Sequence, residues 1–153
     1  KPREGRGQTY SYDMLGEAAR TERDARAYHL AYSRAIGAIA ADATKGSVAL
    51  NPGISVKLSA LHPRYEEAQR GRAMAELVPR LAALCHLARA AGIGLNIDAE
   101  EQERLSLSLD VIEATLRDPG LRGWDGFGVV VQAYGRRAGA VLDWLDALAR
   151  RLD

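Results

Sequence analysis

Cysteine is nearly missing from this chain: Cys85 stands alone among 153 residues. No disulfide can form within the chain, and a reducing compartment fits best. Cys85 falls four residues after Leu81 and one after Leu84, on the apolar side of a helical pattern. Nothing nearby would lower its pKa, so it is expected as a core thiol and not as a nucleophile. Neither a signal-peptide pattern nor an apolar run approaching the roughly 20 residues that cross a bilayer occurs. Charge of one sign is not in excess, with 21 basic and 20 acidic residues for a net +1. That balance forecasts no nucleic-acid surface. No G-x-G-x-x-G follows a strand pattern and no phosphate loop is present. Gly123, Gly126 and Gly128 read as turn glycines ahead of a strand. The three histidines, His29, His62 and His86, lack the spacing of a metal site and read as surface or packing residues. No metal is expected.

Apolar residues make up 47% of the chain and charged ones 27%, enough for one compact domain with a core. Lys1, Arg3 and Arg6 against Glu4 suit a loose, solvated arm over residues 1–9. Beyond it, strand and helix patterns alternate. A strand is expected over Thr9 to Met14, then a helix from Thr21, a good N-cap, to Ala41. Tyr28, Tyr32, Ala35, Ile36 and Ile39 repeat at helical spacing there. Asn51-Pro52-Gly53 marks a turn. Strands follow at Ile54 to Leu58, Gly94 to Asp98 and Phe127 to Gln132. Helices are expected over Arg72 to Ala91, Arg104 to Arg117, and from Ala138 to the last residue. Pro79 should cost the second helix a hydrogen bond and bend it. The β-branched second and fourth strands read as buried on both faces. Trp124 and Trp144 read as packing residues.

Alternation of this kind implies an α/β fold with a parallel sheet and right-handed crossovers. Four consecutive βα units are half of a (βα)8 TIM-type barrel. The rival is a four-stranded open α/β sheet. The barrel half is favoured because polar residues recur at the same strand end, about one barrel unit apart: Glu17, Lys57, Asp98 and Gln132. That end is where barrel enzymes build their active sites. Lys57 could hold a substrate carboxylate, act as a desolvated amine, or pair structurally with an acid. Asp98 beside it should stay ionised and orient cations, or else cap a helix. The Gln132 amide both donates and accepts, which suits a heterocycle edge or a backbone partner in the core. Glu17 reads as a cap or an ion-pair partner.

Two runs carry a resemblance. Tyr12-Asp13-Met14-Leu15-Gly16-Glu17-Ala18-Ala19 and Gly53-Ile54-Ser55-Val56-Lys57-Leu58-Ser59-Ala60-Leu61-His62-Pro63-Arg64-Tyr65 resemble proline dehydrogenase. The nearer likeness is to the proline dehydrogenase domain of bacterial bifunctional proline utilisation A flavoproteins. Asn96-Ile97-Asp98-Ala99-Glu100-Glu101 and Val131-Gln132-Ala133-Tyr134 match further strand ends, all in order from Tyr10 to about Arg150. The resemblance implies that residues 10–153 are the N-terminal half of a distorted (βα)8 barrel that binds FAD. It implies oxidation of L-proline to Δ1-pyrroline-5-carboxylate by hydride transfer to the flavin, with a membrane quinone as the later acceptor. By motif, Lys57 would hold the proline carboxylate and Asp98 would organise the active-site cations. Gln132 would bond the flavin ring, and Glu17 would be the acidic half of an ion-pair gate. The family's later flavin-binding strand and its arginine-bearing last helix have no match here. Arg136-Arg137 follows the fourth strand and does not take that arginine role. These residues alone are therefore expected to be inactive, to lack bound FAD and to self-associate. The parent is expected in the cytoplasm, peripheral at the inner membrane face. Two alternatives stay open: an aldolase-type barrel with Lys57 as a Schiff-base amine, and a non-catalytic α/β interaction module.

Overall fold

The computed structural model describes residues 8–152; most of the expected N-terminal arm lies outside them. Four strands form one sheet in the order β1-β2-β3-β4, all parallel: β1 Ser11–Asp13, β2 Gly53–Val56, β3 Gly94–Ile97 and β4 Phe127–Val129. The order never reverses. With right-handed crossovers, an order that runs one way lays every connecting helix on the same face. The core agrees with this. Ile54 and Val56 of β2 and Leu95 and Ile97 of β3 share one cluster with Tyr32, Ile36, Leu77, Leu81, Leu84, Leu107 and Leu148 of the helices.

Those helices are α1 Glu22–Ala40, α3 Arg70–Ala90, α4 Leu105–Leu116 and α5 Ala138–Leu152, close to the expected ranges. Thr21 caps α1: its side chain accepts from the Asp24 amide, and the Asp24 carboxylate accepts from the Thr21 amide. Two orphan donors of the first turn are thereby satisfied. Helix α3 runs on through Pro79. Cys85 is fully buried on it, and burial pushes its thiol up to about 12, so it is inert as expected. Trp124 and Trp144 pack against the core. The buried Asn51 amide bonds Lys45 of one loop and the Gly92 carbonyl that ends α3, which ties the approaches to β2 and β3 together.

Several expectations need correction. Every strand is shorter than its apolar run, because pairing stops where the chain turns into the next connection. Lys57 closes β2 and leads straight into a short helix, α2 Leu58–Leu61, buried at all four positions. The strands are packed on one face only. The other face carries Gly53, Ser55, Gly94, Asn96 and Gly128, all half-buried. β4 is an edge strand, half-buried throughout, with Val130 beyond it 46% exposed. Gly128 lies inside β4 and is no turn residue: a Cβ there would overlap the Asn96 side-chain amide of β3. Gly123 does turn the chain, at φ +71°.

Candidate active site

The register sets the site. Asp13 of β1 pairs with Ser55 of β2, Ser55 pairs in turn with Asn96 of β3, and Val56 pairs with Ile97. Lys57 and Asp98 therefore leave their strands side by side, and the Asp98 amide still donates to the Val56 carbonyl at 3.0 Å. Side chains alternate along a strand. Lys57 and Asp98 consequently point away from the helix-covered face, as Asp13 does two residues lower.

The Lys57 ammonium donates to Asp13 Oδ1 at 2.7 Å and to Asp98 Oδ2 at 2.9 Å. Lys57 and Asp98 are 16% and 20% exposed and Asp13 is 60% exposed. Burial pushes the Lys57 pKa down. The two carboxylates outweigh it and hold the ammonium above the usual lysine range. The amine therefore stays protonated, whereas a Schiff-base lysine needs the neutral form. That opposes the aldolase-type reading. The Lys57 backbone amide donates to the Tyr32 hydroxyl of α1 at 3.2 Å, so the core props the strand end from below. An ammonium has three donors. Two are taken by carboxylates, and the third has no partner among the described residues.

Lys57, Glu17 and Gln132 line one cleft of about 380 Å³ at the C-terminal ends of the strands, with Ala18, Ser59, Ala99, Glu100, Glu101, Gln102 and Tyr134. Asp98 does not line this cleft but bonds Lys57 at its edge, so the four residues singled out in the sequence lie around one strand-end rim. Their surroundings differ. Glu17 is exposed and has no partner among the described residues; it caps nothing, since Thr21 caps α1. Gln132 follows β4 in the turn that leads to α5, and its Oε1 accepts from Gln102 Nε2 at 3.0 Å. Gln102 in turn accepts from the Arg137 guanidinium, at its carbonyl (2.7 Å) and its Oε1 (2.9 Å). The Gln132 Nε2 has no partner among the described residues and is free to donate into the cleft. That donor, beside an apolar strand end, fits one polar edge of a flat heterocycle.

Sequence reasoning missed four contributors. Asp13 lay inside a quoted motif; period-2 alternation from β1 would have put it on the Lys57 face. Gln102 and Arg137 reach Gln132 only through the α4 and α5 connections, and no local pattern marks them. Ser59 is 3% exposed. Its amide donates to Glu100 Oε2 at 3.0 Å. Burial pushes the Glu100 carboxyl up and the Ser59 bonds pull it down; the net shift is upward.

A four-stranded parallel sheet covered by helices, with a polar cluster at its strand ends, places the chain by class among α/β enzyme domains. The chain belongs to the proline dehydrogenase family, which it matches over residues 1–153. It is 54% identical over 148 residues to the bifunctional protein PutA of Salmonella typhimurium, covering 97% of this chain and 11% of that protein. With PutA of Rhizobium meliloti the identity is 53% over 151 residues, covering 99% and 12%. The chain thus spans about a ninth of the length of these curated relatives. Among solved structures, a variant of proline utilization A from Bradyrhizobium japonicum superposes with a TM-score of 0.92 at 57% identity, over 96% of this chain and 15% of that one. Proline utilization A from Bdellovibrio bacteriovorus inactivated by N-propargylglycine gives a TM-score of 0.89 at 25% identity, over 98% and 17%.

Proposed function

We propose that this chain is the first four βα units of a (βα)8 proline dehydrogenase barrel, and that the parent oxidises L-proline to Δ1-pyrroline-5-carboxylate. One observation carries the reading: in a member of this family, Lys57, Glu17 and Gln132 share one cleft at the C-terminal strand ends, with Asp98 bonded to Lys57 at its edge. The one-way strand order and the polar, uncovered sheet face suit a barrel wall whose other half closes over that face. Family membership implies a flavin, taken here as FAD. When bound, the flavin supplies the acceptor for the hydride that leaves the ring carbon beside the substrate nitrogen.

The residues of this chain have separate tasks. Lys57 offers its third N–H and its positive charge to the substrate carboxylate. Asp98 and Asp13 keep that ammonium charged and aimed. Gln132 donates to the cofactor ring from the neighbouring strand end. Glu17 stands over the cleft as the acidic side of a gate whose cation would come from the second half of the barrel. Among the described residues Lys57 is the only cation lining the cleft, so a single contact holds the carboxylate. Catalysis of this kind is mainly positioning. These 153 residues by themselves therefore neither retain FAD nor turn over proline. A membrane quinone takes the electrons from the parent, which sits in the cytoplasm at the inner membrane face.

The test compares this chain with the longer protein that carries it. The longer protein is expected to be yellow, to bleach on addition of L-proline, and to lose at least about 100-fold in kcat/KM as Lys57→Ala. The chain alone is expected to be colourless. A colourless longer protein that leaves proline untouched would overturn the reading.

A further inference from the structure

We infer that Ser59 is a positioning residue for the candidate site: it holds the segment that bears Glu17 at the mouth of the cleft. This rests on the role proposed above for Glu17. Three bonds converge on Ser59, which is buried two residues after Lys57. Its Oγ accepts from the Ala18 amide at 3.0 Å. Its carbonyl accepts from the Ala19 amide at 2.9 Å. Its own amide donates to the Glu100 carboxylate at 3.0 Å. Ser59 thus stitches the connection after β1 to the end of β2 and to the end of β3.

The stitched segment is bent in a way it would not adopt unaided. Ala18 has φ +51° and Gly16 has φ +117°. Left-handed alanine is disfavoured because its Cβ crowds the following carbonyl, and such residues persist only when their surroundings over-determine them. At Gly16 the surroundings are the Tyr28 ring of α1, which a Cβ would strike. At Ala18 they are the two bonds to Ser59. Glu17 lies between these two anchors and has none of its own. Its direction into the cleft is therefore set by its neighbours.

Why a serine is needed follows from the burial. The position is closed to solvent, so only a small side chain fits, and only a hydroxyl supplies an acceptor there for Ala18. In Ser59→Ala the Ala18 amide turns to water, since Ala18 is exposed. The left-handed turn then has less to hold it, and Glu17 swings away while the core stays intact.

Two measurements test this. In this chain, Ser59→Ala is expected to speed amide exchange at Ala18 at least about tenfold with the α3 amides unchanged, and Ser59→Thr, which keeps the acceptor, is expected to preserve protection. In the flavin-loaded longer protein, Ser59→Ala is expected to raise KM for L-proline several-fold with little change in kcat. In a Glu17→Gln background it should add nothing, because both changes then act through one residue. Ala18→Val strains the turn from its exposed side, without touching the core, and is expected to raise KM alike. Unaltered exchange at Ala18, or an equal Ser59→Ala effect in both backgrounds, would overturn the inference. Altered exchange in a longer protein that oxidises no proline would leave the Ser59 anchor standing and sink the function proposed for the site.

Discussion

Lys57 sits between two carboxylates of unequal burial, and that inequality sets what each does. Asp13 is mostly in water, where an ion pair is worth at most about 1 kcal/mol. Asp98 is only 20% exposed, and leaving the ammonium unpaired on that side costs about 1–3 kcal/mol. Urea unfolding should therefore rank Asp98→Asn as more destabilising than Asp13→Asn. Both variants should lower the Lys57 pKa, which NMR of a methylated lysine reports. His62 gives a second residue-level expectation. Its ring is fully buried, accepts at Nδ1 from the Arg64 amide and lies 3.1 Å from Glu76 through Nε2. Burial pushes its pKa down against the pull of Glu76, with Arg80 and Arg72 also opposing the charged form. The folded state thus keeps His62 neutral where the unfolded chain takes up a proton. Stability should fall as pH drops through the ordinary histidine range near 6.5. His62→Gln should flatten that slope between pH 7 and 5.5 in denaturation curves.

Among the elements, local signals were legible wherever the cause was local. The α1 start at Thr21 follows from a capping box within four residues, and Thr21→Ala should cost about 1 kcal/mol of stability. The α3 and α4 ranges follow from apolar spacing. The strand ends were overestimated because a β-branched run does not say where its neighbour stops pairing. Gly128 was misread for the same reason. Its need for glycine comes from Asn96 on β3, a residue far away in sequence. Gly128→Ala should force β3 and β4 apart and cost about 2 kcal/mol, read as a lowered Tm with loss of the β4 amide protection.

In the whole molecule, both outer strands of the sheet lack a partner among the described residues, and Val130 is exposed beside β4. Unpaired parallel edges template association. Sedimentation velocity should show mass rising with protein concentration, and Val130→Lys should suppress the rise. A monomer at all concentrations in both forms would mean that the edges are protected in some other way. Placement of the site was half legible at this scale. The recurrence of Glu17, Lys57, Asp98 and Gln132 at strand ends implied a common rim; the cleft gathers Glu17, Lys57 and Gln132, and Asp98 joins through its bond to Lys57. Ser59, Gln102 and Arg137 were not visible, since each acts across a connection, whereas Asp13 could have been found from the alternation along β1.

The residue pattern alone determined the α/β alternation, the parallel order, the inert thiol at Cys85 and the family. Each depends on spacing within one element or on short runs of matching residues. Only the tertiary structure decided that Lys57 is gripped by two acids, that one sheet face is left polar and uncovered, and that Ser59 joins three strand ends. Those outcomes depend on strand register, and register is set by packing between residues some forty positions apart.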